Sequence, residues 1–270
     1  MNISFLEFIS YSFVQRAFIS GIFVAVLCSI LGLFLVLRKL SLIGDGLSHV
    51  SFGAIAMGLF FGFYPIYFAI PVVVLASIFI VKLTQKAKIY GDTAIGVVSS
   101  VGLAGGVLLA SASHGFNVSL LSYLFGNILA ISASETYLSI ALSLVVLVIV
   151  YLLYNELFAV TFNEEQANIT GIKSDNINLL LVILTAITVV LSVRVVGIML
   201  VSSFFILPAV TALQISKGFK SAIFVSALVA VVSVITGICA SFYLDLPAGA
   251  SIVIVNFILF LLSFLWRKNM

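Results

Sequence analysis

An acid and an imidazole stand four residues apart in Gly44-Asp45-Gly46-Leu47-Ser48-His49, with apolar sequence on both sides. On a helix, positions i and i+4 share one face, so both side chains can reach the same object. A carboxylate oxygen and a neutral imidazole nitrogen are common donors to divalent first-row metals. The imidazole donates only when neutral, so a proton competes with a metal there. Ionisable groups at membrane depth cost about 2.5–3.5 kcal/mol on insertion scales, and those that are kept mark functional sites. The same residues also fit a plain helix start, with Asp45 complementing the helix dipole and His49 an ordinary satisfied polar group. Spacing alone leaves both readings open.

Other chemistry is sparse. There is no Walker glycine loop, no H-E-x-x-H and no G-x-S-x-G, so nucleotide hydrolysis or uphill energy must come from another chain or an ion gradient. His114 reads as a solvated residue in an outward loop. Cys28 and Cys239 lie in apolar runs, where cysteine serves packing, and no disulfide framework is implied.

The elements that must hold the pair are membrane spans. Of 270 residues 63% are hydrophobic and 8% charged, with mean hydropathy +1.37; soluble domains carry about 25% charged residues. The chain is therefore expected to be an all-α polytopic membrane protein, a single transmembrane domain over 1–270 without a separate soluble part. The net charge of +3 comes from loop lysines and arginines and implies no nucleic-acid partner. Met1 to Phe13 lacks a basic n-region, so the first apolar run is expected to be a retained span.

Apolar runs place spans near 17–37, 47–63, 66–83, 94–112, 136–154, 177–192, 195–213, 221–243 and 248–266. A tenth run, 119–133, is short and polar and is expected to be re-entrant; full counts of eight to ten spans stay open. Lysines and arginines at 38–39, 82–88, 217–220 and 267–268 are expected in the cytoplasm, with the N-terminus outside. The turns at Tyr64-Pro65, Ser113 to Asn117 and Asp245 to Pro247 should face outward. Arg194, between two runs, is expected in an interfacial turn with its guanidinium among headgroups; a pore role is the alternative. Pro208 should kink its span or end half of a broken helix. Gly53, Gly58, Gly62, Gly102, Gly105 and Gly106 are expected to serve close helix packing.

The polar segment 155–176 is the longest. Phe162 to Ala167 reads as a short helix with an Asn cap, Glu164 and Glu165 in its first turn, and Gly171 ending it. It fits a solvated connection or a docking element for a soluble partner.

Several stretches together resemble one family. Arg38 to Ser41 followed by Gly44 to His49, Tyr123 to Ala130, Phe162 to Gly171, Val196 to Ser202 with Ile206 to Ala209, and Pro247 to Ser251 are similar, in order, to motifs of the permease subunits of bacterial ATP-binding-cassette importers for zinc, manganese or iron (the metal ABC-3 family). Tyr11 to Ala17 looks closest to the zinc branch. The resemblance implies a bundle similar to that of the cobalamin importers (type II), in the bacterial cytoplasmic membrane. It also implies a homodimer, two ATP-binding subunits, an extracytoplasmic metal-binding protein, and no enzyme activity or permanent cofactor in this chain. Asp45 and His49 become ligands for a transported Zn2+, Mn2+ or Fe2+. Phe162, Glu164, Glu165 and Gly171 become ATPase-coupling residues in a cytoplasmic loop, and Gly44, Gly126, Gly197, Pro208, Pro247 and Gly249 structural or gating residues. Two copies would bring four donors together at a dimer axis. A proton-coupled secondary transporter using Asp45 and His49 as a relay is the alternative.

Overall fold

The computed structural model describes residues 10–87, 90–112 and 118–268. Those residues form helices joined by short turns: α1 Ser12–Leu37, α2 Ile43–Phe60, α3 Pro65–Ala87, α4 Gly91–Ala112, α5 Val118–Phe125, α6 Ala133–Leu152, α7 Tyr154–Phe162, α8 Glu164–Ile169, α9 Ser174–Val196, α10 Val201–Ile215, α11 Phe219–Leu244 and α12 Ala248–Lys268. Among the described residues nine helices are long and apolar enough to cross a membrane. His114, Lys88 and the turn Ser113 to Asn117 lie outside the described residues.

The buried centre of the bundle is α1, α2 and α9; helices such as α4 and α12 keep broad apolar faces outward, as lipid requires. Close approach comes from small residues. A Cβ on Gly32 would stand 2.1 Å from the Phe205 carbonyl oxygen, so the backbones of α1 and α10 touch there. A Cβ on Gly53 would meet the Gly102 carbonyl oxygen at 2.4 Å, and one on Gly106 the Phe52 ring at 2.6 Å, which explains how α2 and α4 lie so close. Gly62 and Gly105 differ from that expectation, since a Cβ on either meets nothing within 4 Å, and Gly62 (φ +73°) lies in the turn after α2.

The run 119–133 is a broken, re-entrant piece. Helix α5 has 8 residues, about 12 Å at 1.5 Å per residue, far short of a span. It stops at Gly126 (φ +74°), and a 3-10 turn Ile128–Ala130 leads to α6. Ser132 opens α6 with a reciprocal capping box to Glu135.

Three expectations change. Helix α9 runs through Arg194 to Val196, because the break comes at Gly197 (φ +90°) and the 3-10 turn Ile198–Leu200. Helix α10 continues through Pro208, so the expected interruption lies about ten residues earlier than the proline, at the one residue type that takes this φ without strain. The first part of the polar segment 155–176 is helical: after a turn at Leu153 the separate helix α7 runs to Phe162, and α8 follows from Glu164.

One end of the bundle gathers Arg38, Gln85, the segment 163–178 and Lys217. Arg38 faces Glu164 at 3.6 Å, Gln85 Nε2 donates to Asp175 Oδ1 at 3.0 Å, and Phe162 shares a groove with Lys217. The α5 break and the start of α12 meet at the other end.

Candidate metal centre and its supports

Asp45 sits in the first turn of α2 and His49 one turn later. From Ile43 to Ala56 every residue is buried except these two. The His49 and Asp45 side chains are 30% and 45% exposed, with His49 Nε2 and Asp45 Oδ2 3.6 Å apart. At that separation they face one another without a tight hydrogen bond, leaving room for a shared cation to replace the contact. The Nδ1 of His49 is buried without a hydrogen-bond partner among the described residues. Asp45 does not cap the helix; the N-cap position is Leu42, with no side-chain cap. The neighbours are tailored to the pair. Gly46 lets Ile95 of α4 press on the backbone beside Asp45, since a Cβ there would stand 2.3 Å from Ile95 Cγ2, and Gly44 lies against the Phe205 ring. Among the described residues no group of three or more His, Cys, Asp or Glu side chains could hold a metal ion. One chain thus offers two donors on an open face.

The acidic helix α8 forms as its sequence suggests. The Asn163 side chain accepts from Gln166 N–H at 3.0 Å. Gly171 (φ +90°) ends it, with its own N–H on Asn168 O and that of Ile172 on Ala167 O, 3.0 Å each. Phe162 belongs to α7, not α8, and packs against the rings of Phe158 and Phe219 at 4.7 and 5.7 Å between centroids while remaining exposed. Glu164 and Glu165 part company. Both are exposed, but Glu164 faces Arg38 and accepts from Asn178 Nδ2 at 3.0 Å, a pairing in which Glu165 takes no part.

Three of the motif glycines meet at one crossing. A Cβ on Gly126 would stand 2.5 Å from the Val196 carbonyl carbon, one on Gly197 2.4 Å from Gly126 N, and one on Gly249 2.4 Å from Val196 O. Backbone of α5, α9 and α12 touches there, and the Asn127 N–H reaches Arg194 O at 3.3 Å. Pro247 accepts from Ser251 N–H and so sets the first turn of α12. Pro208 is buried inside α10.

Sequence reasoning missed one cluster beside this crossing. Arg194 is not in a headgroup turn: its Nε donates to Glu135 Oε1 at 2.7 Å, and its guanidinium lies 4.4 Å from the Tyr123 ring centroid. The Glu135 side chain is 3% exposed, and its second oxygen accepts from the Ser132 N–H and hydroxyl, 2.9 Å each. A charge in the apolar core is kept only when paired in this way. The available signal was Ser132-x-x-Glu135 ahead of an apolar run, together with a lone arginine in another.

The chain matches the ABC 3 transport family over residues 10–267. It is 32% identical over 270 residues to the manganese transport system membrane protein MntC of Halalkalibacterium halodurans, covering 99% of this chain and 92% of that one. It is 31% identical over 255 residues to the high-affinity zinc uptake system membrane protein ZnuB of Haemophilus influenzae, covering 94% and 97%. Among solved structures it resembles PsaBC from Streptococcus pneumoniae, solved in complex with Fab, with a TM-score of 0.87, 30% identity and coverage of 97% and 95%. An inward-facing metal-chelate-type ABC transporter is similar in fold, with a TM-score of 0.73 at 16% identity, covering 93% and 85%.

Proposed function

We propose, from the premise that this chain belongs to the ABC-3 transport family, that it carries zinc into the cytoplasm as half of a homodimeric metal-importer permease, with Asp45 and His49 as the cargo's ligands. The observation that carries this reading is the open face of α2. On a helix otherwise buried from Ile43 to Ala56, the only groups left accessible are one carboxylate and one imidazole. A hydrated cation crosses an apolar wall only if other donors replace its water. Two donors per chain bind loosely enough to release, and a second copy across a two-fold axis completes four. Asp45 supplies charge against the dehydration cost, and His49 the nitrogen that favours zinc over manganese in the divalent affinity order.

Helix α4 supports a paired arrangement. Its outward positions Thr93, Gly96 and Ser100 are exposed, small or hydroxyl-bearing, and a Cβ on Gly96 would meet nothing within 4 Å. Such residues suit helix–helix contact or a wet path better than lipid. The relatives named for manganese and for zinc are similar to nearly the same degree, so discrimination is assigned to the extracytoplasmic binding protein that delivers the ion. Energy comes from two ATP-binding subunits docked at α8 and the exposed ring of Phe162.

The test is uptake of radioactive zinc and, separately, manganese by proteoliposomes holding the permease with its ATP-binding subunit and the loaded binding protein. ATP-dependent zinc uptake is the expected result. Uptake of manganese alone would reassign the cargo, and uptake driven by a pH gradient without ATP would favour a proton-coupled carrier.

A further inference from the structure

Two basic residues follow α1, and the fold treats them differently. Lys39 is exposed with φ +59°, while the Arg38 side chain folds inward and is only 9% exposed. Burial lowers the pKa of this guanidinium, and the charge of Glu164 opposes that shift. Glu164 is its ion-pair partner at 3.6 Å, half-exposed, in the first turn of α8. On its other side Glu164 is held by Asn178 of α9 at 3.0 Å.

Arg38 opens the turn 38–42 that leads directly into α2 and Asp45. That turn is pinned by Leu40 N–H on Leu35 O at 2.8 Å and Ile43 N–H on Leu40 O at 3.1 Å, so moving Arg38 moves the start of α2. Both members of the ion pair line a cavity of about 360 Å³, together with Ile43 and Asn178. Ile95 lines the same cavity and presses on Gly46, the neighbour of Asp45. Space, a long charge contact and a pinned turn make a link that can shift, where close packing would make a strut.

We propose that Arg38 is a positioning residue that couples α8 to the metal pair: through Glu164 it ties the α1–α2 turn, and so Asp45, to the motion of the acidic helix. This rests on the reading above, in which α8 docks the ATP-binding subunit and Asp45 and His49 hold the cargo. When the docked subunits draw α8 away, the contact with Glu164 opens and the start of α2 is released; when α8 returns, the site is reset.

The experiment measures zinc uptake and ATP hydrolysis together in proteoliposomes of the full complex, for wild type, R38Q, E164Q and the double variant. Wild type without ATP-dependent uptake would overturn the underlying reading rather than the coupling. With wild type active, R38Q and E164Q are expected to move about tenfold less zinc per ATP hydrolysed, whatever their hydrolysis rate, within the usual range of coupling between sites. The double variant should be no worse than either single, because the two residues act as one unit. Unchanged zinc per ATP in either single variant, or losses that multiply in the double, would overturn the proposal. The ratio is insensitive to how much complex folds. Should R38Q fail to assemble, E164Q on the half-exposed partner decides alone: a wild-type ratio overturns the link, and a lowered ratio supports it.

Discussion

At the scale of residues, Asp45 and His49 differ in what they contribute, so their loss should differ too. Asp45→Asn keeps the shape and removes the charge that offsets dehydration of the cation. Zinc uptake should fall by roughly tenfold or more, since one lost contact of about 1.4 kcal/mol is already tenfold. His49→Ala should lower uptake while leaving complex assembly intact, as its ring is 30% exposed and packs little of the core. Uptake at the wild-type level in both variants would leave the pair as a plain helix start. Glu135 and Arg194 are a structural pair of the opposite kind, buried and saturated. Glu135→Gln strands a buried guanidinium and should cost about 3–5 kcal/mol of stability, read as a lower unfolding midpoint in detergent. Combining Glu135→Gln with Arg194→Met removes both charges and should be milder than the single change. An equal or larger loss would show that the cluster does more than neutralise itself.

At the scale of elements, α8 and the glycine crossing carry the predictions. The Asn163 cap is worth about 0.5–2 kcal/mol, and in a helix from Glu164 to Ile169 that decides whether it forms. Because Glu164 pairs with Arg38 and Glu165 does not, Glu165→Lys is the clean test of docking: it should weaken co-purification of the ATP-binding subunit without disturbing Arg38. Retained co-purification and retained transport would remove α8 from the interface. At the crossing, Gly197→Ala asks a side chain to take φ +90° and to stand 2.4 Å from Gly126 N. Strain of about 1–3 kcal/mol in this extended positive-φ region (φ +90°, ψ 156°), open essentially to glycine alone, and overpacking of about 1–3 kcal/mol should add, and thermal unfolding of the variant in detergent should show it. An unaltered midpoint would mean that the backbone gives way there at little cost.

At the scale of the whole molecule, the described residues put Arg38, Gln85, the acidic helix and Lys217 at one end, and the α5 break with Gly249 at the other. The positive-inside rule predicts that the first end is cytoplasmic. Single cysteines at Lys86 and Lys217 should resist a membrane-impermeant thiol reagent in intact cells, and one at Leu246, exposed between α11 and α12, should react. Labelling at Lys217 with protection at Leu246 would invert the later half of the bundle. With α5 too short to cross, the lysines after it are predicted on the same side as those before.

The long apolar spans, the short run at 119–133, the acidic helix with its Asn cap and Gly stop, and the i, i+4 pairing of Asp45 with His49 were determined by the sequence alone. Each depends on a local quantity: apolar run length against bilayer thickness, or hydrogen bonds between residues within one or two turns. Apolar run lengths left eight, nine or ten spans open, whereas the structure has nine helices of that kind among its described residues. Tertiary structure decided what depends on distant partners. Nothing near Arg194 in the chain says that Glu135 waits 59 residues away to neutralise it. Pro208 is the stronger local breaker, yet α10 holds together through it and the chain breaks at Gly197, where Gly126 and Gly249 demand bare backbone. The two adjacent glutamates are alike in sequence, and only the packing of α8 against Arg38 and Asn178 tells them apart. Local hydrogen-bond geometry and solvation are written along the chain, whereas close packing and charge compensation exist only between segments that the fold has brought together.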